Sequence, residues 1–343
     1  MKKIWIYSVR SYIQLALFFY YRRINLKQRK NVPKNEPVIL VSNHNSALMD
    51  ALLVASQSGR YMYFLTRASV FKKPFVNALL RSFNMLPVYR VRDGWSSISN
   101  NKAIFETCSL GLFNNGAVAL FPEGNHHLNR TVRNLSKGFT RIVFETLDSY
   151  PTTDLKIIPI GLNYEKADAF ADSVSIYFGK PIYGQNYMEN DRNAGTNRLK
   201  ADVRKAITQL TTHIPADNYE ETIQKLELLG ADFLDPQAVN NCVKSDFENC
   251  SFTKARKLKS IKAAFKFLMI TFLIAPYAIW KGLAEPKIKD AEFIATFRFA
   301  IVMTLVPIWL LIITVILLFT LGLQWALIYL VSALCVSLLA VKL

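Results

Sequence analysis

The amino-acid sequence predicts an α/β fold, a sheet flanked by helices, with an interfacial helix at the N-terminus and a transmembrane hairpin at the C-terminus. Short apolar runs alternate with helical patterns over residues 35–235, which indicates layered α/β structure. The run 299–341 contains no charged residue, and the N-terminus combines aromatic with basic side chains. We therefore divide the chain into an interface segment 1–34, an α/β domain 35–252 and a membrane-associated region 253–343.

The composition excludes one broad class of protein and disfavours another. Lys and Arg number 42 against 25 Asp and Glu, a net charge of +17, while 51% of residues are hydrophobic and mean hydropathy is +0.17. The apolar content excludes a disordered chain, and high charge with high hydropathy disfavours an ordinary soluble domain. The combination fits a basic surface facing anionic lipid or nucleic acid. Because no nucleic-acid-reading motif is present, we predict lipid and no nucleic acid.

The cysteines predict no covalent framework. The four residues, Cys108, Cys242, Cys250 and Cys335, show no CxxC pair and no regular spacing. We therefore expect neither a disulfide framework nor a zinc site, and a reducing compartment is the simpler interpretation. No group of His, Cys and acidic residues has ligand spacing, so no metal site is predicted. The N-terminus lacks a small-residue cleavage site, so no signal peptide is expected.

Segment 1–34 predicts a helix at the membrane interface. Its aromatic residues are Trp5, Tyr7, Tyr12, Phe18, Phe19, Tyr20 and Tyr21. Basic residues precede, interrupt and follow this apolar stretch, and such a basic rim favours an anionic leaflet. The alternative is a helix that packs on the core of its own domain.

The α/β domain is predicted from apolar runs and helical periodicity. The predicted strands are 37–42, 61–66, 86–89, 117–121, 155–162 and 173–178. The predicted helices are 47–57, 98–112, 137–147, 199–213 and 219–229. The order of the strands does not follow from the pattern.

The C-terminal region predicts a transmembrane hairpin. The uncharged run 299–341 is long enough for two spans of about 20 residues, with a turn at 322–324. A further apolar stretch, 263–280, has basic residues on both flanks, and the positive-inside rule favours keeping both flanks cytoplasmic. We therefore predict that 263–280 lies in or dips into the interface without crossing.

Histidine and aspartate at a strand-to-helix junction are candidate catalytic residues. His44 follows the predicted strand 37–42, and Asp50 lies six positions later in the next helix. A histidine can take a proton from a hydroxyl near neutral pH, and a carboxylate can fix its tautomer and stabilise its cation. A purely structural pair is the alternative.

Three further blocks accompany predicted strands. The block 121–124, Phe-Pro-Glu-Gly, closes a strand, and its glycine permits close backbone approach. The block 84–90 places Arg90, a residue type suited to bidentate phosphate binding, just past another strand. The block 158–162 contains Pro159, which we expect to have a local role or to mark a sheet edge.

In this order the blocks resemble the glycerol-3-phosphate/1-acylglycerol-3-phosphate (lysophosphatidate) acyltransferase family. That family's pattern runs N-H-x4-D, G-x-x-P-x-x-R, F-P-E-G and a V-P-V-G-L-like strand. The resemblance covers about residues 35–182 and implies a mixed sheet flanked by helices. Two positions depart from the pattern. Five residues separate His44 from Asp50, so the loop must accommodate one more, and Asn84 stands in place of glycine.

The resemblance implies transfer of a fatty acyl group from an acyl thioester to a hydroxyl of lysophosphatidate in phospholipid synthesis. His44 would be the general base and Asp50 its orienting carboxylate. The implied substrate-binding residues are Asn43, Arg90, Glu123 and Gly124, and Arg90 would bind the acceptor phosphate. Lys137 and Arg141 are further candidates for phosphate binding, with a solvated helix face as the alternative.

The implied partners are membrane phospholipids, a lysophospholipid acceptor, and acyl-CoA or acyl carrier protein. The last two are donor co-substrates, so no resident cofactor is expected. The implied location is a membrane, with the catalytic domain on its cytoplasmic face. Alternatives are glycerol-3-phosphate or another lysolipid as acceptor, and an inactive membrane-binding or scaffolding member of the fold. A hydrolase using Ser42 or Ser46 is a further alternative, although no G-x-S-x-G elbow exists.

Overall fold

The computed structural model describes residues 2–90, 99–252 and 259–343. In these residues an eight-stranded mixed sheet lies between two layers of helices, which confirms the predicted fold class. The strands are β1 Arg23–Lys27, β2 Val38–Ser42, β3 Tyr63–Arg67, β4 Met85–Val88, β5 Ala117–Leu120, β6 Lys156–Tyr164, β7 Ser173–Phe178 and β8 Ile182–Tyr183. The helices are α1 Lys2–Tyr20, α2 Ala47–Gln57, α3 Pro74–Ser82, α4 Asn101–Phe113, α5 Gly138–Ser149, α6 Arg192–Leu210, α7 Tyr219–Leu228, α8 Pro236–Lys244, α9 Lys259–Phe272, α10 Ile274–Ile279, α11 Ile294–Leu321 and α12 Leu323–Lys342.

The order of the strands brings the ends of β2 and β5 together. Across the sheet the order is β1-β7-β6-β2-β5-β3-β4, with β8 paired to β6. β2 pairs in parallel with both β5 and β6, and β3 pairs in parallel with both β5 and β4. β6 pairs antiparallel with β7 and β8. Because the carboxyl ends of parallel strands share one edge, the segments after β2, β4 and β5 converge there.

Each face of the sheet carries its own apolar core. On one face, α1, α2 and the beginning of α11 contribute Leu17, Leu53 and Phe299. On the other face, α5 and α6 contribute Phe139 and Leu199 among others. Burial on both faces explains why β2 is a continuous apolar run rather than an alternating one.

The α/β body begins earlier than the sequence predicts. β1 pairs in parallel with β7 over the five residues Arg23–Lys27, so the assignment of 1–34 to a separate interface segment is wrong. This edge strand alternates between exposed and partly buried positions, and its apolar signal is correspondingly weak. Helices α3 and α8 and strand β8 were also not predicted. The predicted helix 98–112 is α4 from residue 101, and its first position lies outside the described residues.

Pro159 lies within a central strand without interrupting the sheet. β6 pairs with β8 at Lys156 and Ile157 and with β7 from Ile160 onward. Pro159 therefore lies where β6 changes its antiparallel partner and no ladder bond needs its missing N–H. Its carbonyl accepts a hydrogen bond from the Gly179 N–H at 2.8 Å. The expected local role of Pro159 is to occupy the position where β6 changes partner. The alternative, that Pro159 marks a sheet edge, is wrong.

Helix α1 is buried on one side and exposed on the other. Leu17 and Tyr20 are buried against the domain core, whereas Ile4, Trp5 and Phe18 are exposed. The alternative interpretation, a helix that packs on its own domain, therefore describes part of α1. Its inner face packs on its own domain, and its outer face is the one for which the membrane interface stays a prediction.

Two helices are long and apolar enough to cross a membrane by length and composition. They are Ala291–Leu321 and Leu323–Lys342, which agrees with the predicted pair of apolar helices. Gly322 separates them with a φ of 91°, a left-handed conformation that favours glycine. α11 and α12 contact each other along their length, as a hairpin requires.

The third apolar stretch is bent rather than straight. Its two halves, α9 and α10, meet at 96°, the geometry of a broken span or a re-entrant loop. Beside the bend, the carbonyl of Phe272 accepts a hydrogen bond from Trp309 Nε1 at 2.9 Å. Beyond it, the Arg298 guanidinium lies 5.0 Å from the centroid of the Trp280 ring. The segment thus runs back along α11, although the prediction that it does not cross stays a prediction. Part of its upstream basic flank, residues 254–257, lies outside the described residues.

A disulfide joins Cys242 to Cys250, so the expectation of no disulfide is wrong. The two Cα atoms are 4.7 Å apart, although eight positions separate the residues in sequence. Cys242 is buried in a small core formed by α7, α8 and the residues that follow. The chain reverses after α8 and returns Cys250 to that core, a proximity that cysteine spacing does not reveal. Cys108 and Cys335 are free thiols.

We expect Cys250→Ala to destabilise the small core around α8. Loss of a short disulfide-closed loop costs about 2–3 kcal/mol through the entropy of the unfolded chain. Faster amide hydrogen exchange in α8 would measure the loss, with Cys335→Ala as the matched control. Peptide mapping under non-reducing conditions should recover a linked Cys242–Cys250 fragment, and recovery of both as free thiols would contradict the assignment.

Candidate active site

His44 and Asp50 meet at the carboxyl edge of the sheet, directly after β2 and in the first turn of α2. His44 Nδ1 lies 2.7 Å from Asp50 Oδ2, so the structure brings this predicted pair together. The side chain of His44 is 17% exposed and that of Asp50 is 0% exposed. Because Nδ1 is engaged by the carboxylate, Nε2 is the ring nitrogen that can exchange a proton with a substrate.

Three further hydrogen bonds hold the Asp50 carboxylate. The backbone N–H groups of Asn45 and Ser46 donate to Oδ2, both at 2.8 Å, and the Tyr164 hydroxyl donates to Oδ1 at 2.5 Å. Burial, and then the neighbouring Asp50, raise the pKa of Tyr164 well above its usual value. Tyr164 therefore stays a proton donor at neutral pH. Together with His44, these donors compensate for burial of the charge.

The additional residue between His44 and Asp50 is absorbed at the start of α2. Ala47 has a φ of 39°, which is uncommon for a residue other than glycine. This conformation lies just after Asn45 and Ser46, whose N–H groups point at Asp50. The departure from the family spacing therefore does not separate the two side chains.

The His44 ring is packed between other rings. Phe121 stacks on it with a centroid distance of 4.2 Å and an interplanar angle of 15°. His126 meets it edge-on at 5.5 Å, and Phe293, just before α11, meets His126 at 4.7 Å. Burial, and then the neighbouring His44, lower the pKa of His126, which favours its neutral ring. The sequence did not identify His126 as part of the site, because nothing in its spacing relates it to His44.

Asn43 ties the loop after β2 to strand β6. Its side-chain amide donates to the carbonyl of Leu162 at 3.0 Å and accepts from the N–H of Leu162 at 2.8 Å. Asn43 is 2% exposed, and its amide also donates to Asn45 Oδ1 at 2.6 Å. These contacts give Asn43 a positioning role, and its direct contact with a substrate stays a prediction.

The turn 121–124 is held by two arginines. Glu123 is nearly buried and accepts a hydrogen bond from Arg133 Nε at 2.7 Å. Burial raises the pKa of Glu123, and the adjacent Arg133 opposes that increase. Gly124 has a φ of 74°, and its carbonyl accepts a hydrogen bond from Arg90 at 2.6 Å. The predicted residues Arg90, Glu123 and Gly124 are thus brought together, and the structure adds Arg133, which no motif had indicated.

Asn84 adopts a backbone conformation that glycine favours. Its φ is 59°, in the left-handed region, where asparagine is tolerated better than most residues. Its carbonyl accepts a hydrogen bond from the Phe64 N–H at 3.0 Å, and its N–H donates to the Arg81 carbonyl at 3.1 Å. The substitution therefore leaves β4 aligned with β3 ahead of Arg90.

Lys137 and Arg141 line a groove on the face of the sheet covered by α4, α5 and α6. The groove has a volume of about 690 Å³ and also contains Lys102, Arg192 and acidic Asp148. Its lining residues do not include His44, Asp50 or Arg90. A phosphate-binding role for Lys137 and Arg141 stays a prediction.

The chemistry available at this edge is that of an oriented base beside a rigid turn. Within residues 2–90, 99–252 and 259–343, no group of three or more His, Cys, Asp and Glu residues could hold a metal ion. The His44–Asp50 pair can accept a proton and stabilise the resulting cation. The donors that would meet a developing oxyanion are not identified by these contacts.

Comparison with known proteins finds a family model that matches part of this chain. Residues 23–163 match the model of the family described as acyltransferase, and this range includes β1. The chain is 27% identical over 126 residues to glycerol-3-phosphate O-acyltransferase 1 of Saccharomyces cerevisiae, covering 34% of this chain. It is 26% identical over 176 residues to a 1-acyl-sn-glycerol-3-phosphate acyltransferase of Borreliella burgdorferi, covering 51% of this chain. The predicted family resemblance is confirmed.

The relatives are longer than the matched region. The chain spans 16% and 64% of the length of these two curated relatives. Among solved structures, it is similar to the 1-acyl-sn-glycerophosphate (LPA) acyltransferase from Thermotoga maritima, at 18% identity and a TM-score of 0.43. That similarity covers 60% of this chain and 80% of the other.

Asp172 gives the region beneath the site a pH-dependent stability. It precedes β7, is 4% exposed, and accepts a hydrogen bond from the Lys166 N–H at 2.9 Å. Burial raises the pKa of this carboxyl from 3.8 to about 7. Because the folded state holds this proton more tightly than the unfolded state, the contribution of Asp172 to stability is largest below about pH 4 and is lost as the pH rises through about 7.

We expect Asp172→Asn to stabilise the protein at pH 8 and to have little effect near pH 4. The gain at high pH should be roughly 2–4 kcal/mol, because a neutral amide avoids the cost of the buried charge. Thermal unfolding across this pH range measures it, with the exposed Asp217→Asn as control. A gain that does not change with pH would contradict the raised pKa.

Proposed function

Because residues 23–163 of this chain form a domain of the acyltransferase family, we propose that the protein is an O-acyltransferase acting on lysophosphatidate in phospholipid synthesis. The acyl group would come from an acyl thioester, either acyl-CoA or acyl carrier protein. The observation that carries the proposal is the 2.7 Å contact between His44 Nδ1 and Asp50 Oδ2, within the region that matches the acyltransferase family model.

The reaction proceeds with His44 as general base. Nε2 of His44 takes the proton of the acceptor hydroxyl while the oxygen attacks the thioester carbonyl carbon. The resulting tetrahedral intermediate collapses, the C–S bond breaks, and the leaving thiolate receives the proton from the imidazolium. Asp50 stabilises that imidazolium and keeps the tautomer with its proton on Nδ1. No protein nucleophile and no resident cofactor are needed.

The acceptor is proposed to bind along the turn 121–124 through its phosphate. Arg90 donates a hydrogen bond to the carbonyl of Gly124, which supports a fixed relation between the arginine and the turn. A guanidinium can bind a phosphate bidentately, so this placement suits Arg90 as the phosphate ligand. Lys137 and Arg141 would add positive charge from the N-terminal part of α5.

The protein is proposed to work at a membrane. Its two candidate spans support membrane association, and the basic flanks favour a catalytic domain on the cytoplasmic face. The membrane contains the phospholipids and the lysophospholipid acceptor, while the acyl carrier arrives from the aqueous side. The basic surface would attract the anionic donor and acceptor alike.

Glycerol-3-phosphate is the second candidate acceptor. The relative named glycerol-3-phosphate O-acyltransferase 1 favours it, whereas the relative named 1-acyl-sn-glycerol-3-phosphate acyltransferase favours lysophosphatidate. Both acceptors carry a phosphate, so Arg90 suits either. An inactive scaffold is a third hypothesis. Its main support is the altered spacing between His44 and Asp50, and the close contact of these two side chains weakens that support.

We expect His44→Ala to lose acyl transfer by about 10²–10⁴-fold, the usual contribution of a positioned general base. Purified protein in detergent is supplied with labelled acyl-CoA or acyl carrier protein and a panel of lysophosphatidate, glycerol-3-phosphate and other lysolipids. The highest kcat/KM in the panel identifies the acceptor.

His127→Ala is the control, because His127 is exposed and contacts the His44 loop only through its backbone. Wild-type turnover in His44→Ala would overturn the mechanism. Absence of transfer to every acceptor in the wild type would favour a scaffold, and release of free fatty acid without acceptor would favour a hydrolase.

We expect Tyr164→Phe to lower kcat about tenfold or more, with a smaller change in KM. The substitution removes one hydrogen bond to a buried carboxylate, worth about 1.5–3 kcal/mol, and leaves the ring in place. Because the effect passes through His44, the pH profile of kcat should also move, which a purely structural loss would not cause. Tyr177→Phe is the control on the neighbouring strand β7, and an unchanged pH profile in Tyr164→Phe would contradict this role.

A further inference from the structure

Helix α3 exposes an apolar face in the part of the chain that the structure describes. None of its nine residues is buried. Phe75 is 78% exposed and Leu79 is 40% exposed, and at a spacing of four they lie on one face of the helix. Val70, in the turn before α3, adds a further exposed apolar side chain. Exposed apolar patches of this kind mark binding surfaces.

The charged residues that neighbour α3 in the sequence are all basic. Between Asp50 and Asp93 the sequence contains no acidic residue. The basic residues closest to α3 in the sequence are Arg67, Lys72, Lys73 and Arg81, all exposed. An apolar face rimmed by cations complements the headgroups and upper acyl chains of an anionic leaflet.

Helix α3 is continuous with the outer face of α1. Trp5 Nε1 donates a hydrogen bond to Ser82 Oγ at 3.3 Å, and the Trp5 ring stacks on Phe83 at 5.9 Å. Ile4 and Trp5 are themselves exposed, at 72% and 47%. The apolar faces of the two helices therefore form one surface, which we call the α1–α3 surface (Ile4, Trp5, Phe75 and Leu79).

The candidate span α11 runs beside α1. Tyr12 donates to the carbonyl of Met303 and Tyr20 to that of Ala295, so α1 runs antiparallel along the beginning of α11. The α1–α3 surface therefore extends from a helix that packs on a candidate membrane span.

We propose that α3 inserts Phe75 and Leu79 into the interfacial region of an anionic leaflet, as a second membrane-contacting element beside α1. This inference rests on the proposed membrane location of the protein. Because α3 leads into β4 and then Arg90, its contact with lipid would hold the acceptor side of the active site at the bilayer surface. The occupant is the lipid bilayer, recognised by its apolar chains and anionic headgroups.

The test places a fluorescent label on α3 in the full chain. Phe75→Cys in a Cys335→Ala background is labelled with a nitrobenzoxadiazole maleimide and reconstituted in vesicles of phosphatidylcholine and phosphatidylglycerol. The matched control is Leu228→Cys, since Leu228 is apolar and 84% exposed but lies on α7 beside acidic residues. Lipids with doxyl groups on the upper acyl chain serve as quenchers.

We expect the label at Phe75→Cys to be quenched several-fold more than the label at Leu228→Cys and to emit at shorter wavelength. Equal quenching at the two positions would overturn the proposal. A shift of the emission to shorter wavelength that occurs in detergent without vesicles and rises with protein concentration would assign the surface to a second copy of the chain, which also overturns the proposal.

The same vesicles separate this proposal from the proposed function. Acyl transfer is assayed in them in parallel. Lipid quenching at Phe75→Cys without acyl transfer to any acceptor would support the α3 contact and reject the activity. Acyl transfer without selective quenching would support the activity and reject the α3 contact.

Discussion

The carboxylate of Asp50 has no exposed surface, and four hydrogen-bond contacts hold it at the point where three parts of the fold meet. His44 and the following loop come from the end of β2, Asp50 itself from α2, and Tyr164 from the end of β6. A buried charge is tolerated only where such partners are in place. The orientation of the His44 ring therefore depends on the parallel pairing of β2 with β6. Asn43 strengthens the same junction through both backbone groups of Leu162.

The entrance to α11 is in contact with the catalytic edge of the sheet. Phe293, at the entrance to α11, packs on His126, whose ring in turn meets His44. α1 fills part of the sheet's core with its inner face and contacts α11 with its side chains. A displacement of the beginning of α11 would therefore move the rings around His44. In the proposed reaction, with its acceptor in the membrane, these contacts would couple α11 to the general base.

The positive charge is distributed unevenly along the chain. The stretch between Asp50 and Asp93, which holds α3 and Arg90, contains no acidic residue, whereas α7 carries Glu220, Glu221 and Glu227. Anionic lipid and phosphorylated substrates would meet the first surface and avoid the second. Glu123, the acidic side chain of the turn 121–124, is nearly buried and paired with Arg133, so its charge is largely compensated.

The sequence by itself determined the layered α/β class, the apolar C-terminal pair and the four blocks that identify the family. Periodicity and uncharged length are local properties, and they specify elements before any tertiary contact forms. The tertiary structure decided which contacts join those blocks into one site. Tyr164 reaches Asp50 across 114 positions, and Arg133, His126 and the edge strand β1 carry no local signal of their role. Likewise, two left-handed residues, Ala47 and Asn84, absorb the departures from the family pattern, a backbone outcome that residue spacing does not encode.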